Sequence, residues 1–167
     1  MKAKLVGSLV GLVISACIGS SALAKDSASQ TFLTKAIQGN LAEVAMGQLA
    51  EQQGSSSDVK AYGQMLQKDH SDANTKAMAA ASAMGVSAPS EPTKKQISEH
   101  DQLAKLTGDK FDREFAKHMV MDHKKDIAEY QKASKRQDGQ VSQYAGTTLP
   151  TLQKHLETAQ SLAKGGR

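Results

Sequence analysis

Three histidines and one glutamate stand in stretches that are otherwise among the most apolar of the chain: Glu43, His70, His123 and His155. Each falls near the middle of a different long helical segment. A small residue precedes each by one heptad: Ala36, Gly63, Ala116 and Thr148. Residues seven apart lie on the same helix face. Four helices that each aim one such side chain at a shared interior would build a single cluster. Burying these groups is costly unless they are paired or coordinated. Three imidazoles and a carboxylate suit one transition-metal ion (zinc, copper or iron), with divalent copper favoured on affinity alone. If all four residues bind, the site is closed and structural. If Glu43 only holds an imidazole from outside the coordination sphere, one position stays open. The same four groups could instead satisfy one another as a core hydrogen-bond network that gives register to an alanine-rich bundle. The protein would then be a non-catalytic structural or stress-related interaction protein, with a partner the sequence does not name.

Little else in the chain points to chemistry. There is no Ser-His-Asp arrangement with a nucleophile elbow and no phosphate-cradling glycine loop, so an enzyme is the least expected class. Met46, Met84 and Met119 read as core fillers. His100, between Glu99 and Asp101, reads as part of a solvated face, and His118 has no evident role. Basic residues are interspersed with acids and aromatics are few, which disfavours nucleic acid as a partner.

The chain opens like an export signal. Lys2 and Lys4 precede an apolar run from Leu5 to Ile14, and small residues lead to Ala22-Leu23-Ala24. The run is short for a bilayer span and no stop-transfer pattern follows, so residues 1–24 read as a cleaved signal peptide and the mature protein has no transmembrane span. The rival reading is a lipobox, Ile14-Ser15-Ala16-Cys17, with a lipid anchor on Cys17 and an outer-membrane lipoprotein as the product. Either way the protein leaves the cytoplasm, by preference for the periplasm. Two of the four net positive charges belong to Lys2 and Lys4. Cys17 is the only cysteine, so packing or a metal must hold the exported domain.

Residues 25–167 read as one helical domain. Ala, Gln, Lys, Glu, Leu and Met dominate, and Gly and Pro gather at a few sites. The pattern predicts helices over 28–53, capped at Ser27 and stopped at Gly54; over 58–84, capped at Ser57; over 93–106; from Asp109 to about 135; and over 140–163, with a kink at Pro150. The second has the cleanest spacing: Val59, Tyr62, Leu66, His70, Ala73, Ala77, Ala80 and Met84. Four long helices and one short one predict an all-α bundle.

Four segments carry a resemblance: Phe32–Ala50 (FLTKAIQGNLAEVAMGQLA), Val59–Ala73 (VKAYGQMLQKDHSDA), Phe111–His123 (FDREFAKHMVMDH) and Thr148–His155 (TLPTLQKH). Together they resemble an exported bacterial domain-of-unknown-function family, number 4142, whose members are ferritin-like and often labelled outer membrane proteins. The resemblance implies a ferritin-like four-helix bundle with an extra short helix, and places Glu43, His70, His123 and His155 at the family's polar core positions. Di-iron bundles need a Glu from each of two helices and Glu-x-x-His from each of the other two. Here Gln67, Val120 and Leu152 stand three residues before the histidines, so a di-iron centre is disfavoured.

Overall fold

The computed structural model describes residues 19–165. It comprises five helices: α1 (Gly19–Gln53), α2 (Ser57–Ala83), α3 (Lys94–Leu103), α4 (Gly108–Ser134) and α5 (Gln140–Gly165). The basic start, the apolar run from Leu5 to Ile14 and the Cys17 lipobox lie outside the described residues. Among the described residues, no helix is long and apolar enough to cross a membrane.

The helix starts differ from expectation for local reasons. α1 runs through Ser27, because the preceding small residues offer no breaker; Thr31 Oγ1 instead donates back to the Ser27 carbonyl at 2.8 Å. The cap of α2 is Ser56, one residue early, whose hydroxyl accepts from the Val59 amide at 3.2 Å. For α4 it is Thr107 rather than Asp109. α3 begins with a full capping box, Thr93 with Gln96, and stops at Leu103. Gly85, Gly108 and Gly139 take positive φ, at 66°, 61° and 65°, where a side chain would be strained. α5 continues through Pro150, whose missing amide frees the Gly146 carbonyl.

The helices pair as two antiparallel hairpins, α1 with α2 and α4 with α5, and the hairpins pack through α2 against α5 and α1 against α4. The Ser55 and Ser56 amides both donate to the Asp112 carboxylate at 2.8 Å, so α2 and α4 start at the same end. At the other end, Ser29 on α1 bonds Asp138 and the Arg136 guanidinium donates to the Ala28 carbonyl at 2.9 Å. The segment from α2 to α4, which contains α3, therefore recrosses the length of the bundle. One long crossover between two hairpins is the ferritin-like topology.

The interior has three tiers. One apolar cluster gathers Phe32, Leu33 and Ile37 with Ala77, Ala81, Tyr130, Val141 and Tyr144. A second gathers Met46, Leu49, Tyr62, Leu66, Phe111, Phe115 and Met119. On every long helix a buried polar residue falls between the two: Asn40 and Glu43 on α1, His70 on α2, His123 on α4 and His155 on α5. The predicted core methionines Met46 and Met119 are buried, and Met84 packs at the edge of the first cluster.

Candidate metal centre

Each histidine reaches the middle tier because its helix presents an apolar stripe to the core and the histidine occupies one place in that stripe. His70, His123 and His155 are 3, 1 and 0 % exposed. Their ring centroids lie 5.2–5.8 Å apart. One ring nitrogen from each comes within 4.8 Å of the others, and among the described residues this is the group placed to hold a metal ion.

The outer nitrogens fix the inner ones. His123 Nδ1 lies 3.0 Å from the Met119 carbonyl, which can only accept, so Nδ1 carries the proton and Nε2 the lone pair. His155 Nε2 lies 3.0 Å from Asp69 Oδ2; a carboxylate accepts, so Nε2–H donates and Nδ1 holds the lone pair. His70 Nδ1 lies 3.0 Å from Asn40 Oδ1. The Asn40 amide is oriented by its Nδ2, which donates to the Tyr144 hydroxyl at 3.2 Å, so Nδ1 of His70 donates to Oδ1. His70 Nε2 is buried without a hydrogen-bond partner. All three rings thus turn a lone pair inward.

His123 Nε2 and His155 Nδ1 face each other at 3.2 Å. Two lone pairs at that distance repel unless a proton or a cation lies between them. A proton would make one ring an imidazolium, and burial opposes that charge. It pushes the His70 ring well below its ordinary value, and the His123 and His155 rings push the same way. The His123 ring is lowered to about 4, first by burial and then by His155. His155 is lowered by burial against the opposing pull of Asp69. The donor set suits a borderline metal with imidazole preference, and an outer acceptor on each ring is the usual support of metal-bound histidine.

Glu43 is buried in the same tier, 2 % exposed, but stands outside the three-histidine group. Its carboxyl bonds that of Asp122 instead, and burial, with the charges of Asp122 and Asp126, raises it well above the carboxylate range. Its Oε2 is buried with no partner. Burial, and next the Asp122 charge, likewise raise Asp126 to about 7. His100 is half-buried and pairs with Asp101 at 3.3 Å. His118 lines a surface groove between α3 and α4.

The residues missed from sequence are the outer partners: Asn40, Asp69, Asp122 and Asp126. Asp69 and Asp122 each precede a cluster histidine in the repeated dipeptide Asp-His, the one signal available. The two aspartates nevertheless do different work. Asp69 reaches across to His155 on another helix, while Asp122 turns to Glu43 on α1.

Fold and site together define an all-α bundle of ferritin-like topology with a tri-histidine cluster in its core. The chain belongs to the family described as Domain of unknown function (DUF4142), which matches residues 18–162. No curated protein and no solved structure matches it.

Proposed function

We propose that this is an exported, periplasmic protein that binds one transition-metal ion through His70, His123 and His155. The observation that carries the reading is the 3.2 Å approach of His123 Nε2 to His155 Nδ1, with both outer nitrogens already donating to acceptors. A cation at the centre would satisfy both lone pairs and the unpartnered His70 Nε2. Glu43, tied to Asp122, acts beside the coordination sphere rather than in it, which leaves the fourth position to water or a small ligand. Copper is favoured on affinity, with zinc and iron as the other candidates. The export reading rests on the pattern of residues 1–24.

The test is equilibrium dialysis of the metal-stripped protein against buffered Zn(II), Cu(II) and Fe(II), followed by elemental analysis. One equivalent per chain is expected, lost in His70→Leu. Stoichiometric binding of none of the three would leave the cluster as a hydrogen-bonded core and the protein as a non-catalytic structural one.

A further inference from the structure

The tri-histidine cluster is closed on most sides by the two apolar tiers. On the α1–α4 side the three rings are equally buried, but Asn40, the partner of His70, borders open space. A pocket of about 230 Å³ lies there, and its walls include Gly39 and Asn40 of α1 and Asp122, Asp126 and Tyr130 of α4. Asn40 is the residue that holds His70. The pocket floor is therefore one side chain from the cluster.

Three carboxyls lead inward from this pocket. Asp126 lies at its wall, against the surface of Gly39: a Cβ there would stand 4.0 Å from Asp126 Oδ2. Asp122, one turn earlier on α4, lines the same pocket and bonds Glu43. Glu43 is one turn beyond Asn40 on α1 and lies near enough to Tyr62 to raise that hydroxyl when ionised. The Tyr62 hydroxyl in turn donates to the His155 carbonyl at 3.1 Å. Asp126 and Asp122 line the pocket, and Glu43 lies behind them, bonded to Asp122.

Two buried atoms along this line lack partners: Glu43 Oε2 and His70 Nε2. A buried carboxyl oxygen and a buried imidazole nitrogen are costly to leave unsatisfied. Their cost is relieved when a cation passes or rests beside them. The rim is mixed in charge: Lys35 and Lys125 also line the pocket, and Lys95 is tied to Glu99.

We propose that Asp126, Asp122 and Glu43 form an entry route by which a hydrated divalent cation passes from the α1–α4 pocket to the three histidines. The route rests on the metal-binding reading and adds the path to it. Oxygen ligands exchange water and cation quickly, and the imidazoles then hold the ion more tightly. No bond of the protein is made or broken along the way.

The experiment is stopped-flow loading of the metal-stripped full chain with Co(II), followed by the d–d absorption of the bound ion, and an equilibrium titration of the same samples. Asp126→Asn should slow loading by roughly ten-fold or more, the scale of local electrostatic effects on association, while the equilibrium affinity changes less than about two-fold. Asp126→Glu should restore the rate. Loading of Asp126→Asn at the wild-type rate overturns the route and leaves the metal centre intact. Equal loss of rate and affinity in Asp126→Asn, with circular dichroism unchanged, also overturns it, since the residue would then act at the centre. Failure of the wild-type protein to bind Co(II) sinks the centre itself and the route with it. Should Asp126→Asn misfold, Asp126→Glu with Gly39→Ala, which narrows the same wall, gives the second reading: slow loading supports the route, and wild-type loading removes it.

Discussion

Asp69 and His155 come from helices 86 residues apart in the chain, and the carboxylate Oδ2 of one stands 3.0 Å from Nε2 of the other. Asp69 is a quarter exposed while His155 is fully buried, so the pair ties the centre to the surface of the α2–α5 seam. Because the carboxylate sets the tautomer of the ring, Asp69→Asn should weaken metal binding by about 10–100-fold without loss of helicity. Isothermal titration with Zn(II) and far-ultraviolet circular dichroism check the two halves of that expectation.

His70→Leu separates the binding role from the packing role. The ring has a nitrogen with no partner, and leucine has similar bulk. The metal-free variant should unfold in urea within about 1.5 kcal/mol of wild type, yet bind no metal. A variant that collapses would show that the ring's bond to Asn40 matters more to the fold than its free nitrogen costs.

The metal-free protein should lose histidine-derived stability in acid. The folded value of His123 is about 4 against an ordinary value of 6.5, so between those limits the unfolded chain binds more protons than the folded one. Stability from this ring is complete above about pH 6.5 and is lost as the pH falls toward 4, with a ceiling of about 3 kcal/mol. His70 and His155 are shifted the same way. Urea unfolding at steps between about pH 7.5 and 4 measures the slope, and His123→Leu should flatten it.

Asp126 acts in the opposite sense. Its folded value of about 7 lies above its ordinary 3.8. Ionising it therefore costs stability that the protein retains below about pH 4 and loses as the pH rises through about 7. Asp126→Asn should be more stable than wild type near pH 8 by about 1–2 kcal/mol, after allowance for its partial exposure, and equal to it near pH 4. Thermal melts at the two pH values check this.

Gly47 and Gly63 bring the backbones of α1 and α2 into contact. A Cβ on Gly63 would stand 2.6 Å from the Gly47 carbonyl oxygen, and one on Gly47 2.5 Å from that of Gly63. The obstacle is backbone on both sides, which cannot turn away. Gly63→Ala should therefore destabilise by about 1–3 kcal/mol, despite alanine's better helix propensity. Denaturant unfolding of Gly63→Ala beside Gly146→Ala, whose nearest neighbour is 3.8 Å away, gives the comparison.

The four long helices and the short one were legible because apolar spacing and breaker residues are local properties. The glycine breaks, the Thr93 start and the apolar stripes follow from a few neighbouring residues each. The Ser27 cap fails for the converse reason: its side chain fits a cap, but nothing before it stops the helix, and propensity continues α1 through it. The cluster histidines were legible too, since a polar group recurring in the same place on several apolar faces has few other destinations.

Local patterning was enough to write an all-helical chain with three histidines and a glutamate in its core stripes. Which of the four meet depended on how the helices pack. Register between helices is set by long-range contacts, among them the close approach of Gly47 to Gly63 and the Asp112 link to the start of α2. That register brings the three imidazoles together and turns Glu43 toward Asp122 instead. A shift of one residue rotates a side chain by about 100° around its helix, so the difference between a ligand and a neighbour lies in contacts that no single segment contains.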